Sequence, residues 1–197
     1  HRGARWLARD REPLLPCVEL ALHGTLGEAN SLAALALSAA MDGDLEPALG
    51  VLRRFPGLPH RCRKVRERRA VTYVNDSKGT NVGATVAALQ GIAGPVVLIA
   101  GGQGKGASFA PLTQLPPGRL RAAVLIGQAA AELEAALAAT CKTQRAAGMQ
   151  EAVEQAAALA RPGDTVLLSP ACASQDMFSD YRERGDVFTQ AVMELPA

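Results

Sequence analysis

Aromatic residues make up only 4% of the 197 positions, and histidine occurs three times. So few flat rings argue against modules that stack nucleic-acid bases. An excess of one charge is missing too. With 21 Lys and Arg against 19 Asp and Glu, the formal net is +2, which gives nucleic acid or a membrane surface no bulk attraction. The four cysteines, Cys17, Cys62, Cys141 and Cys172, lie far apart with no C-x-x-C pair. That excludes a zinc-ribbon or disulfide framework and points to a reducing cytoplasm. No hydrophobic run approaches the length of a membrane span. The chain opens on His1, without a signal-peptide pattern, inside what reads as structure. It is expected to be a piece of something larger.

What is present is apolar bulk: 48% of residues are hydrophobic and 20% charged. At this length that is one domain with a proper core, or one domain plus part of another. Residues 1–56 read differently from the rest. Residues 1–23 mix charge with Pro13 and Pro16 and suit short strands or loops. The run Asn30–Met41 is helix-forming and apolar nearly all round, so a buried helix is expected there. Leu45–Phe55 forms a second, amphipathic helix, ended by Pro56-Gly57.

From residue 57 onward the pattern becomes regular. Arg61–Glu67 and Val71–Val74 suit a hairpin turning at Arg68-Arg69, and Asn81–Ile92 a helix. Pro95–Ala100, Arg121–Ile126 and Asp164–Ser169 are continuous apolar strands, with a shorter one near Thr143–Ala146. Helices are expected over Gln128–Ala138, Met149–Ala160 and Met177–Leu195. Apolar strands alternating with helices predict an α/β fold: a Rossmann-like, mostly parallel sheet with helices on both faces. Ligands of such sheets bind beyond the carboxyl ends of the strands.

Three polar clusters stand at those ends: Asn75–Asn81, Gly101–Gly106 and Ser169–Ser174. The glycine run fails the Walker A pattern, because Gly106 follows Lys105, and fails G-x-G-x-x-G, because Ala107 takes the third glycine's place. By itself it reads as a flexible turn, or as a lysine held where it can meet an anion. Asp76 and Lys78, two apart, share a face if the segment is extended. They form either a local ion pair beside a helix cap at Thr80 or Asn81, or an acid and an ammonium at a ligand. Cys172 has no histidine in these clusters to serve it as a base, since His1, His23 and His60 all lie outside them, so it reads as a small, partly buried cysteine. In the basic run His60–Arg69, an exposed edge hairpin accounts for most residues. Arg61 differs because it closes a linker at a domain boundary.

The strings GLPHR at 57–61, NDSKGTNVGAT at 75–85, AGGQGKGASF at 100–109 and LLSPACASQDMF at 167–178 resemble the Mur ligases, from about residue 22 to the end. DSK-x-TN and SPACAS are the strings of the D-glutamate-adding branch. The resemblance implies an end piece of the central ATPase domain at 1–56 and a Rossmann-like amino-acid-binding domain at 57–197. It implies ATP-dependent joining of D-glutamate to UDP-N-acetylmuramoyl-L-alanine through an acyl phosphate, in cytoplasmic peptidoglycan precursor synthesis. ATP and Mg2+ would be required, with the metal ligands outside this chain, and the complete enzyme would be monomeric. Residue by residue, it implies ATP contacts at Asn30, Arg61 and Asp76, active-site roles for Asp76 and Lys78, and D-glutamate contacts at Thr80, Lys105, Ser174 and Tyr181. Leu26-Gly27 stand where the family has His-Asn, Gln103 where it has Asp, and Tyr181 where it has Phe. The rival readings are a dinucleotide-binding oxidoreductase domain, against which both failed glycine motifs speak, and a non-enzymatic binding module.

Overall fold

The computed structural model describes residues 3–22 and 24–196, so His1 and His23 lie outside the described residues. The chain divides into two units, one ending at Leu58 and the other starting at Pro59.

In the first unit, β1 (Trp6–Arg9) and β2 (Glu12–Pro16) form an antiparallel hairpin. Two helices follow, α1 (Gly24–Ala40) and α2 (Leu45–Leu52). Asp44 caps α2 by accepting from Glu46 N at 3.0 Å. The buried hydrophobic cluster among the described residues is small: Leu7, Leu15, Leu20, Leu35 and Leu49. The expectation of a buried helix over Asn30–Met41 is therefore corrected. The helix begins earlier, at Gly24, and only Gly27, Ser31 and Leu35 are buried in it. Leu37 and Met41 stay 68% and 82% exposed. A two-stranded hairpin covers one stripe of a helix, whereas this sequence is apolar on most sides.

The second unit is built on six strands in the order β3-β4-β8-β5-β6-β7. They are β3 (Arg63–Arg68), β4 (Val71–Asn75), β5 (Val96–Gly101), β6 (Leu120–Ile126), β7 (Lys142–Arg145) and β8 (Thr165–Leu168). All neighbours are parallel except the β3–β4 hairpin at the edge. The α/β, mostly parallel expectation holds. Helices α3 (Val82–Gly91), α4 (Ala130–Leu137), α5 (Met149–Leu159) and α6 (Tyr181–Glu194) cover it. Every residue of β5 and β8 is buried. Their side chains alternate between two cores. Leu98, Ala100 and Leu167 join α3 and α4 on one face, while Val97, Ile99, Val166 and Leu168 join α5 and α6 on the other. The chain steps outward from β5 to β6 to β7, then returns to β8 between β4 and β5. That reversal, with right-handed crossovers, puts α5 on the face opposite α3 and α4.

The closing helix starts at Tyr181 rather than Met177. Asp180 caps it, accepting from Arg182 N and Glu183 N at 2.7 and 2.9 Å, and Glu183 reaches back to Ser179 N at 2.6 Å. This reciprocal arrangement fixes the first turn. The basic run of β3 is largely occupied. Lys64 pairs with Glu67, while Arg66 donates to Met193 O and Leu195 O and Arg68 to Pro196 O, at the carbonyl end of α6.

At the amino end of the sheet, Arg121 grips Asp164 with two donors, one of them at 2.8 Å, and Arg161 N adds a third hydrogen bond at 2.8 Å. Burial pushes this carboxyl up, but the bonds from Arg121 and Arg161 outweigh it and hold the pKa below its ordinary 3.8. A depressed carboxylate stabilises the fold above its unfolded pKa and loses that contribution as pH falls through the folded one. Asp164→Asn is expected to cost about 1.5–3 kcal/mol at neutral pH, with the gap to wild type closing in strong acid. Urea midpoints at the two pH values measure this. Amide exchange gives a second check: β5, β6 and β8 should exchange slowest, and residues 3–58 faster, because the first unit buries so little. Equal protection in both units would show that the small leucine cluster is a self-sufficient core.

Candidate functional site

The carboxyl ends of β4, β5 and β8 lie side by side, and the three polar clusters that follow them meet there. The β8 loop is joined to both others. Gly101 N donates to Pro170 O at 2.8 Å, Gln103 and Ala173 exchange backbone hydrogen bonds, and Ala171 N donates to Gly79 O at 2.9 Å. Gly101 and Gly102 have φ of 119° and 125°, and a Cβ would stand 2.0 Å from Ile126 O or 2.2 Å from Ala173 O. These glycines serve close backbone approach within the fold.

Asp76 is 7% exposed. It accepts from Ser169 Oγ at 2.7 Å and from Cys62 N at 3.2 Å. Burial pushes its pKa above the ordinary 3.8, against the opposing pull of these bonds and of nearby Arg61. Burial and Asp76 together push the Cys62 thiol up to about 12. Arg61 itself is exposed, between His60 and Cys62, whose φ values are 60° and 47°. Two left-handed non-glycine residues around one arginine amount to a strained presentation of that side chain.

The expectation that Asp76 and Lys78 share a face is corrected. A turn closed by Gly79 N to Asp76 O at 2.8 Å breaks the extended segment. Asp76 turns inward to Ser169, while the Lys78 ammonium lies 4.2 Å from the centre of the Tyr181 ring, a cation–π contact. Asn81 caps α3, accepting from Ala84 N at 2.9 Å. Lys105 spans the gap between loops, its Nζ donating to Thr80 O at 3.2 Å. Ser174 is 2% exposed at the end of the β8 loop. Asp76, Lys78, Thr80, Lys105, Ser174 and Tyr181 thus gather at one end of the sheet, and Arg61 joins them through Cys62. Asn30 is an exposed residue of α1 in the first unit.

His60 lies outside the polar clusters in sequence, but the fold brings it among them. Its carbonyl accepts from Lys78 N at 3.0 Å, its ring lies edge-on to Tyr181, and Nδ1 is 3.3 Å from Asn75 Nδ2. Only a three-dimensional hairpin brings position 60 beside 75–78. Cys172 is 1% exposed, and burial pushes its thiol up to about 11, in keeping with a buried structural cysteine. Arg184 carries no local sequence signal that marks it. It is fully buried beneath the site and donates to Ser77 Oγ and O and to Cys172 O and Ala173 O. Among the described residues no three His, Cys, Asp or Glu side chains come together in a way that could hold a metal ion, and no helix is long and apolar enough to cross a membrane.

A protein-family model described as "Mur ligase, glutamate ligase domain" matches residues 60–172, more than half of the chain. The chain belongs to the Mur ligase family. Among curated Mur relatives, the UDP-N-acetylmuramoylalanine–D-glutamate ligase of Legionella pneumophila (strain Lens) is 50% identical over 194 residues, which are 96% of this chain and 43% of that protein. The enzyme of the same name from Nitrosococcus oceani is 52% identical over 195 residues, 98% of this chain and 43% of its own. This chain therefore spans less than half the length of these relatives. Among solved structures, the UDP-N-acetylmuramate-alanine ligase MurC of Thermotoga maritima matches with a TM-score of 0.68 at 16% identity, over 96% of this chain and 42% of that one. That match shows a shared fold. Mur membership disfavours the dinucleotide-binding oxidoreductase reading, and the internal role of Gly101 and Gly102 agrees with that.

Asp76 supplies a test of the site's energetics. With a folded-state pKa above 3.8, the native state keeps a proton the unfolded chain releases, so stability falls as pH rises through that window. Asp76→Asn should raise the melting temperature at neutral pH and flatten its pH dependence. A variant less stable than wild type at neutral pH would mean that the buried carboxylate is fully satisfied by Ser169 and Cys62.

Proposed function

We propose that this chain carries the amino-acid-binding half of a ligase that joins D-glutamate to UDP-N-acetylmuramoyl-L-alanine at the expense of ATP. Residues 57–197 form the amino-acid domain, and residues 1–56 are the last part of the central ATP-binding domain. The observation that carries this reading is the gathering of two ammonium groups, Lys78 and Lys105, with Thr80 and Ser174 around the strand ends. A dianionic amino acid needs such a set: cations, hydroxyls and backbone N–H donors on rigid loops. Half-identity to two enzymes named for D-glutamate supports the choice of amino acid.

In this reading Lys105 and Thr80 hold one carboxylate of D-glutamate and Ser174 the other, with Tyr181 as the wall beside them. Lys78 and Asp76 face the reacting end, and Arg61, Asp76 and Asn30 serve ATP. The carboxylate of the UDP-linked substrate takes the γ-phosphate, the D-glutamate amine attacks the acyl phosphate, and phosphate leaves as the amide forms. Positioning and charge neutralisation supply the acceleration. Mg2+ supplies neutralisation of the phosphate charge when bound. Its ligands belong to the rest of the central domain, and no residue described here is assigned to it. In this reading the substrates are cytoplasmic and the complete enzyme is a monomer.

Lys105→Ala in the complete ligase tests this. Losing a charged hydrogen bond worth about 1.5–3 kcal/mol should raise the KM for D-glutamate about ten- to a hundredfold, with the KM for ATP little changed. An unchanged D-glutamate KM would remove Lys105 from the site. Equal use of L-glutamate would remove the stereochemical part of the proposal.

A further inference from the structure

Arg184 is 0% exposed on α6, and none of its hydrogen-bond acceptors is a carboxylate. Nε donates to Ser77 Oγ at 3.0 Å and Nη2 to Ser77 O at 2.8 Å. Nη1 donates to Cys172 O and Ala173 O, each at 3.2 Å. Burial lowers the guanidinium's pKa to about 10, which still leaves it charged at neutral pH. A buried cation hydrogen-bonded only to neutral oxygens, with Asp176 near but not bonded to it, is costly to the fold. A hydrophobic side chain would fill the space at less expense, so the arrangement calls for an explanation beyond packing.

The acceptors supply it. Ser77 lies between Asp76 and Lys78 in the β4 loop, and Cys172 and Ala173 precede Ser174 in the β8 loop. Ala173 also pairs with Gln103, two residues from Lys105 in the β5 loop. One planar guanidinium therefore ties the β4 and β8 loops directly and the β5 loop through one further pair of backbone bonds. We infer that Arg184 is a positioning residue for the incoming amino acid: its fork sets the spacing of the loops that carry Thr80, Lys105 and Ser174. The inference rests on the functional reading above and adds to it the element that holds the two carboxylate subsites apart. The fixed geometry of the fork is what matters, because a lysine ammonium keeps the charge but cannot reach both loops with aligned donors.

The test is steady-state kinetics of the complete ligase with Arg184→Lys. Wild type is measured first; failure to couple D-glutamate overturns the functional reading, and this inference with it. Given an active wild type, the variant should raise the KM for D-glutamate about tenfold or more, while the KM values for ATP and for the UDP-linked substrate stay within about twofold. A variant whose kcat falls with all three KM values unchanged has merely lost folded enzyme, and that result overturns the inference. So does a uniform rise in all three. Should Arg184→Lys fail to fold, Ser77→Ala removes the Nε acceptor, together with the Ser77 Oγ bond to Tyr181 O, and leaves the charge in place. It should raise the D-glutamate KM severalfold, and an unchanged value would overturn the proposal.

Discussion

Strands β5 and β8 have no side that meets solvent, and this two-sided burial dictates where chemistry can stand. A strand walled by helices on both faces holds apolar residues along its length. Polar side chains must wait until the chain leaves the sheet. Because β4, β5 and β8 are parallel neighbours, their exits lie side by side. Asp76, Lys105 and Ser174, distant in sequence, therefore become neighbours without any loop having to travel. The small residues of the cover, such as Ala152, Ala156 and Ala191, bring α5 and α6 close to the sheet. That closeness keeps the exits rigid enough to hold charged groups in register.

The three central strands and most of the helices are legible in the sequence because burial on two faces leaves an unmistakable apolar run. The polar clusters are legible for the complementary reason: glycine, lysine and serine follow abruptly where the run stops. What escapes is whatever depends on partners far along the chain. Arg184 looks like one more charge in YRERGD, and nothing local tells it from Arg182, which is exposed and bonded to Asp180. Only the packing of α6 over two loops makes one arginine a clasp and leaves its neighbour on the surface. His60 escapes likewise, since a hairpin must close before it touches Asn75. The helix Gly24–Ala40 misleads in the opposite sense. Its apolar composition promises burial, but burial needs a surface to pack on, and the first unit's hairpin covers one stripe.

The relatives clarify what kind of object this is. The matches cover nearly all of this chain and less than half of each relative. The half-buried Lys78, the exposed Lys105 and the exposed Arg61 on its strained stretch of backbone agree with the reading proposed above. The left-handed His60 and Cys62 flank an exposed Arg61, the residue assigned to ATP in that reading.

The sheet's two ends make the final point through one residue type. Asp164 and Asp76 are both buried aspartates, at the amino and carboxyl ends. Asp164 is gripped by Arg121, and its pKa is pulled down; its charge is an asset to the fold. Asp76 accepts from neutral groups of Ser169 and Cys62, and its pKa is pushed up; its charge is a liability. Nearby, Arg184 is the mirror image, a buried cation held only by neutral oxygens. The fold could have joined these opposite charges and relieved both. It keeps Asp76 on Ser169 and Arg184 on the loop carbonyls, with the opposite charges of Arg61 and Asp176 near but not bonded to them, at the end where the lysines also gather. Weakly compensated charge at one end of the sheet and a satisfied ion pair at the other agree with the ligand site proposed above.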